Sequence, residues 1–161
     1  MRNTECGIED KELIRAKNTA YRLLTYRPRS RAEIEKKLRD KEFDETIVRQ
    51  VITGLMRFGY IDDNKFAREW AASRVRSRGY GRRRIEQELR RKGIARETIR
   101  EALAEAVPVE DEREAATKAA EKKLGTMRSI EPEMRRRRLA GFLERKGFPS
   151  GLIRDILRTA R

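Results

Sequence analysis

Six apolar positions recur three times along this chain, and that recurrence limits the possible fold more than any other feature. Ile34, Leu38, Phe43, Val48, Val51 and Ile52 return 51 residues later as Ile85, Leu89, Ile94, Ile99, Ala102 and Leu103. A further shift of 54 residues gives Leu139, Leu143, Phe148, Ile153, Ile156 and Leu157, and the strings LRDKEF, LRRKGI and LERKGF fall in the same register. Each copy carries an i, i+4 apolar pair, a tight link and then a broader stripe, the signature of a short helix followed by a longer one. A first helix precedes each pair, from about Glu9 to Tyr26, Asp63 to Ser77 and Glu110 to Leu124, the last with a small-residue face of Ala115, Ala116, Ala119 and Ala120. Strict apolar alternation is nearly absent, so the chain reads as all-α. We expect three tandem three-helix, helix-turn-helix-like repeats over 9–58, 59–107 and 108–161, after a flexible terminus at 1–8. A unit of about 50 residues buries little surface alone, so neighbours must stack.

Composition agrees with stacked units rather than one thick core. Hydrophobic residues are 37% and charged residues 42% of the 161, against roughly 45–50% and 25% in ordinary globular chains. The apolar stripes, including Phe66, Ala67, Trp70, Ala71 and Val75, and Ile153, Ile156, Leu157 and Ala160, are assigned to core. Phe43 with Val48, Ile94 with Ile99, and Phe148 with Ile153 sit where hydrophobic staples bracket helix starts. Gly93 and Gly147 suit a left-handed helix stop, whereas the first copy has Glu42 there, so its second helix is expected either to end differently or to carry a strain of about 1 kcal/mol. The stretch GYIDDNKFAREWAASR, residues 59 to 74, holds adjacent acids and two aromatics at helical spacing. It reads as a joint: Gly59 stops one helix, Asp62 caps the next, Asp63 faces the positive end of the dipole, and Ile61 staples to Phe66.

Catalytic chemistry finds little support. Histidine is absent, which excludes His triads, His zinc sites and imidazole acid–base work. GLMRFGYI has phosphate-loop glycine spacing but Tyr60 in place of the lysine, and GYGRRR lacks the third glycine of a dinucleotide fingerprint. Paired acids such as Glu86 and Glu88 read as solvated helix faces. No catalytic group, cofactor or metal ligand is assigned. Cys6 is the single cysteine, no apolar run is long enough to span a membrane, and the start MRNTECGIEDKELIRAK has no signal-like apolar core, so a cytoplasmic protein is expected.

The positive charge is both large and clustered. Forty-one Lys and Arg against 27 Asp and Glu give +14 at pH 7, a balance that favours polyanionic partners. The clusters are RPRSR (27–31), RVRSRGYGRRR (74–84) and RRRR (135–138), each expected at the start of a second helix. Arg31, Arg82 and Arg136 share one column, with Arg83 and Arg84 matched by Arg137 and Arg138. Cations in a first turn oppose the helix dipole, so helix stability does not explain them. Either they meet an external phosphate or carboxylate, or they form internal ion pairs with the many glutamates. The candidate binding residues are Arg29, Arg31, Arg74, Arg76, Arg78, Tyr80, Arg82, Arg83, Arg84, Arg135, Arg136, Arg137 and Arg138. Tyr80, between two glycines, is placed either to stack on a base or to pack. With few Asn and Gln, backbone phosphate contact fits better than base reading.

RPRSRAEIEKKL, GYIDDNKFAREWAASR, the glycine-flanked basic run before RIEQELRRKGI and the final LERKGF together resemble the bacterial RecX family, over roughly residues 15 to 158. The resemblance implies an elongated, curved array of three-helix units and a monomeric, non-enzymatic regulator of homologous recombination. Such a regulator lies in the groove of the RecA filament on single- or double-stranded DNA, and inhibits strand exchange, ATP hydrolysis and co-protease activity. The residues alone also allow a stand-alone, largely sequence-independent nucleic-acid-binding protein.

Overall fold

The computed structural model describes the backbone of residues 3–159 and the side chains of 10–108 and 110–159. Among these residues the chain is all-α, with nine helices and no strand: α1 (Asn3–Tyr26), α2 (Arg31–Arg39), α3 (Glu45–Arg57), α4 (Asp63–Arg78), α5 (Arg82–Arg91), α6 (Arg96–Ala106), α7 (Val109–Gly125), α8 (Pro132–Lys146) and α9 (Ser150–Thr159). Helix α1 begins at Asn3, ahead of the expected Glu9. Residues 1 and 2 of the expected flexible terminus, and Ala160 of the last stripe, lie outside the described residues.

Three helix triplets follow in order. In the first, α1 packs on α2 and α3, and α2 on α3; in the second α5 packs on α6; in the third α7, α8 and α9 pack on one another. The repeated columns form the core. All of them are buried except Leu157, which packs partly buried against the third cluster. Helix α1 supplies Ala16 and Ala20, α4 supplies Ala67 and Ala71, and α7 supplies Ala116 and Ala120, all buried, and in the first and third triplets this small-residue face accompanies the packing of α1 and α7 on the two helices that follow. Trp70 and Val75 depart from the expected core: both are half-buried. The chain divides into two compact units, one running through Phe66 and taking in Lys92–Ile94, the other formed by Ala67–Arg91 and the residues from Ala95 onward.

The helix ends follow from local chemistry. Phe43 and Val48 flank the start of α3, Ile94 and Ile99 that of α6, and Phe148 and Ile153 that of α9, and all six are buried. Ser30 and Glu33 close a capping box on α2. The 59–74 stretch is the expected joint: Asp62 Oδ1 accepts the Lys65 N–H at 2.9 Å, with Ile61 and Phe66 buried on either side of the helix start. Helix α2 ends at Arg39 with a right-handed cap at Asp40, two positions earlier in the register than α8, yet Glu42 still takes the left-handed geometry at φ 61°, as Gly147 does at 86°. The backbone trajectory into the Phe43 staple is therefore retained, with strain, where glycine is missing.

Candidate partner-binding surface

The N-terminus of each internal second helix is built into the following repeat, and this governs where the arginines lie. In the first unit the Ser30 hydroxyl donates to Lys92 O at 2.6 Å, and the Arg31 N–H donates to Asp63 Oδ1 at 2.8 Å. Glu33 accepts from Arg27 at 2.8 Å and Lys92 at 3.1 Å. In the second unit the Gly81 N–H donates to Lys146 O at 2.9 Å, the Arg83 N–H to Gly147 O at 3.1 Å, and the Arg82 N–H to Glu112 Oε1 at 2.8 Å. A Cβ on Gly93 would stand 2.3 Å from that of Ala32, and one on Gly147 2.3 Å from that of Arg84. Both glycines are therefore required by close approach as well as by backbone angle. Burial pushes the carboxyls of Asp63 and Glu112 above the usual range, and the bonds from the Arg31 and Arg82 amides oppose that rise.

Several candidate arginines are engaged inside the chain. Arg29 Nε donates to Leu23 O at 3.0 Å, and Arg31 Nε to Glu35 at 2.6 Å. Arg74 lies 3.9 Å above the Trp70 ring and donates to Glu88 at 2.8 Å, and Trp70 Nε1 donates to the same carboxylate at 3.0 Å. Arg84 approaches the other oxygen of Glu88 at 3.7 Å, with its Nε buried and without a hydrogen-bond acceptor. Arg82 Nη1 donates to Val107 O at 3.2 Å. Tyr80 is half-buried between Arg84 and Lys146, each 5.6 Å from its ring centroid, so its face is already packed on cations. Lys146 in turn bonds the Arg78 carbonyl and lies 5.7 Å from Phe142. For Arg29, Arg31, Arg74, Arg82 and Arg84, then, internal contacts account for the charge at least in part.

A second group makes no hydrogen bond or ion pair through its side chains among the described residues. Arg76, Arg78, Arg83, Arg136, Arg137 and Arg138 are exposed, and of these Arg83 still acts on a charged group of the chain, as one of the cations that oppose the burial of Glu112. Arg135 is half-buried and lines a cleft of about 360 Å³ with Arg136 and Leu139. Contrary to the expectation from the repeat alignment, the RRRR run does not begin a helix. Glu131 caps α8 and Pro132 opens it, so the run occupies the second turn, beyond the reach of the dipole argument. Helix α8 carries this group near one end and Lys146, which contacts Tyr80, at the other, about 14 Å apart along its axis. The structure thus resolves the basic residues of the second unit into two patches. Sequence reasoning missed Glu88, Asp63 as an acceptor for another helix, and Glu112. The signal for the last two was available: each is an acid in the first turn of the helix that opens the next repeat.

Among the described residues no group of acids or cysteine could hold a metal, and no helix is long and apolar enough to cross a membrane. Comparison with known proteins decides what such an array belongs to. Models of the RecX first, second and third three-helix domains match residues 16–55, 62–103 and 110–157 in that order. The chain belongs to the RecX family of regulatory proteins. The regulatory protein RecX of Amycolatopsis mediterranei is 36% identical over 144 residues, 89% of this chain and 82% of that one. That of Streptomyces coelicolor is 36% identical over 145 residues, covering 90% and 77%. Among solved structures, a crystal structure of regulatory protein RecX aligns with a TM-score of 0.84 at 27% identity, covering 97% of this chain and 78% of that one. RecX from Lactobacillus salivarius aligns at 0.82, with 23% identity and coverage of 93% and 97%; it shares the fold.

Proposed function

We propose that the chain regulates homologous recombination without chemistry of its own, by binding in the groove of the RecA–DNA filament. There it inhibits strand exchange, ATP hydrolysis and co-protease activity as a cytoplasmic monomer. The observation that carries this reading is the set of six exposed arginines on α4, α5 and α8 whose side chains make no internal hydrogen bond or ion pair among the described residues, in a chain of the RecX family. Guanidinium groups held on helices but left unpaired suit the oxygens of backbone phosphates, and several such contacts in one chain gain avidity on a polymer with its own repeat. RecA assembled on single-stranded DNA should lose ATP turnover on addition of the protein at or below stoichiometric amounts. Unchanged turnover at saturation refutes the reading. Affinity for bare strand and for RecA-coated strand, compared at moderate salt, separates filament binding from plain nucleic-acid binding. The latter depends steeply on salt, with a logarithmic slope of about −0.7 per contacted phosphate on single strands, whether or not RecA is present.

A further inference from the structure

The large apolar side chains that remain exposed among the described residues, apart from Met134, lie in the first repeat or, for Tyr60, two residues past its end; Phe58 is 72% exposed and Tyr60 56%. Between α1 and α3 runs a groove of about 240 Å³ lined by Leu13, Tyr21, Val51, Leu55 and Phe58, and Lys17 is its one charged lining residue. Tyr60 extends the wall by an edge-on contact with Tyr21 at 5.3 Å. Gly54 also lines the groove, inside α3 and three residues before its end. A glycine inside a helix weakens it relative to almost any other residue except proline. Here neither crowding nor backbone angle calls for it: a Cβ built at Gly54 meets nothing within 4 Å. The missing side chain leaves room that this chain does not fill.

The second repeat shows what fills the same place when nothing else does. The 51-residue register holds along the first helices, since Ala16 and Ala20 correspond to Ala67 and Ala71, all fully buried. In that register Lys17 becomes Arg68, Gly54 becomes Glu105 and Tyr21 becomes Ala72. Arg68 and Glu105 form an ion pair at 3.9 Å. The first repeat keeps the cation, removes the carboxylate and surrounds the gap with aromatic rings.

We propose that this groove docks an acidic amphipathic helix on the protein component of the RecA filament. A carboxylate of that helix pairs with Lys17 as Glu105 pairs with Arg68, its aliphatic anchors enter between Tyr21 and Phe58, and its backbone passes close over Gly54. Charge selects this occupant over a second copy of the chain, because self-association would bring together molecules of +14 and oppose one Lys17 to another. The proposal rests on the filament reading in naming the protein that carries the helix.

Gly54→Glu supplies the internal carboxylate that the second repeat has, and Gly54→Ala adds only a methyl group. Both variants should melt at or above the wild-type temperature and bind bare single-stranded DNA as the wild type does. Affinity for RecA-coated strand should fall at least tenfold for Gly54→Glu and by a smaller factor for Gly54→Ala. A photoreactive side chain at Phe58 should cross-link to an acidic helix of RecA. If wild-type protein binds the filament and Gly54→Glu binds it equally well, or if the cross-link falls on DNA or on a second copy, the groove assignment alone is overturned. If wild-type protein does not bind the filament at all, the groove assignment and the filament reading fall together.

Discussion

Glu33 ties the first repeat to the turn after α5, and its replacement should show a pH dependence of definite sign. The carboxylate is 20% exposed and accepts from Arg27 at 2.8 Å and Lys92 at 3.1 Å, and from the Ser30 N–H at 3.2 Å. Burial pushes its pKa up, but the hydrogen bonds from Arg27, Lys92 and Ser30 outweigh burial and hold it at about 2, below the ordinary 4.5. A difference of that size corresponds to on the order of 3 kcal/mol of stability. The Arg27 side chain is 42% exposed, and solvent screening of its share brings the figure to about 2 kcal/mol. For a carboxylate depressed in the folded state, this stability is fully present above the unfolded value of 4.5 and is lost as pH falls through about 2. Glu33→Gln removes the charge while keeping an acceptor for Ser30. At pH 7 it should lower Tm by about 4–8 °C, at roughly 2–4 °C per kcal/mol for a chain of this length. The gap between wild type and variant should close between pH 4.5 and 2. Thermal melts followed by circular dichroism at pH 7, 5, 3.5 and 2.5 measure it. A gap of the same size at pH 7 and 2.5 would show that shape rather than charge holds this joint, and the electrostatic account would be wrong.

Glu112 should behave in the opposite sense. Burial raises its carboxyl, so its contribution is greatest below the unfolded value and declines as pH rises through the raised one; Glu112→Gln should match or exceed wild-type stability at pH 7, while Glu112→Ala, which orphans the Arg82 N–H, should lose about 1–2 kcal/mol in urea titration. Glu42→Gly relieves a left-handed residue at φ 61°, a conformation that costs about 1–2 kcal/mol for non-glycine residues, and after glycine's added chain entropy it should stabilise the protein by about 0.5–1 kcal/mol in the same titration. Replacing Arg136, Arg137 and Arg138 together by Ala should leave the melting temperature within about 2 °C, since none of their side chains makes an internal hydrogen bond or ion pair, while weakening inhibition of RecA ATP turnover at least tenfold. The same exchange at Arg74, Arg82 and Arg84 should lower Tm measurably, because it removes the cations that Glu88 and the Trp70 ring face and the Arg82 bond to Val107 O.

The fold was legible because its determinants are local and periodic. The i, i+4 pairs, the staples at Phe43, Ile94 and Phe148, and the Asp62 cap each depend on residues a few positions apart, and the threefold recurrence exposed them above a background of charge. Internal use of the arginines was only partly legible: Arg31 with Glu35 and Arg84 with Glu88 are i, i+4 neighbours, whereas Glu88 lies 14 residues from Arg74 and Val107 lies 25 from Arg82. The start of α8 was legible but overridden: Glu131-Pro132 is a cap followed by a favoured first residue, whereas aligning the RRRR run with Arg82–Arg84 pulled the expected start toward the arginines. Trp70 was assigned to core by its spacing, yet its indole N–H needs an acceptor, and Glu88 provides one at the edge of the unit.

The two joints also determine how the basic surface can meet an anion. A helix N-terminus with free amides is a ready phosphate site, and the clusters at Arg31 and Arg82 first suggest that use. Both ends are already occupied, since Asp63 and Glu112 take the Arg31 and Arg82 amides, and the carbonyl of Gly147 takes that of Arg83. The same solution is reached with different residues: serine or glycine one residue before, aspartate or glutamate from the next repeat, and a lysine carbonyl in both. A phosphate cannot enter there without displacing a carboxylate and parting two repeats. On the filament reading proposed above, contact with an external anion falls to exposed side chains outside these bonded helix ends, Arg76 and Arg78 in one patch and Arg136, Arg137 and Arg138 in the other. Recognition by such flexible guanidinium groups tolerates variation in phosphate position. That tolerance suits a regulator of filaments assembled on arbitrary sequence better than it suits a reader of bases.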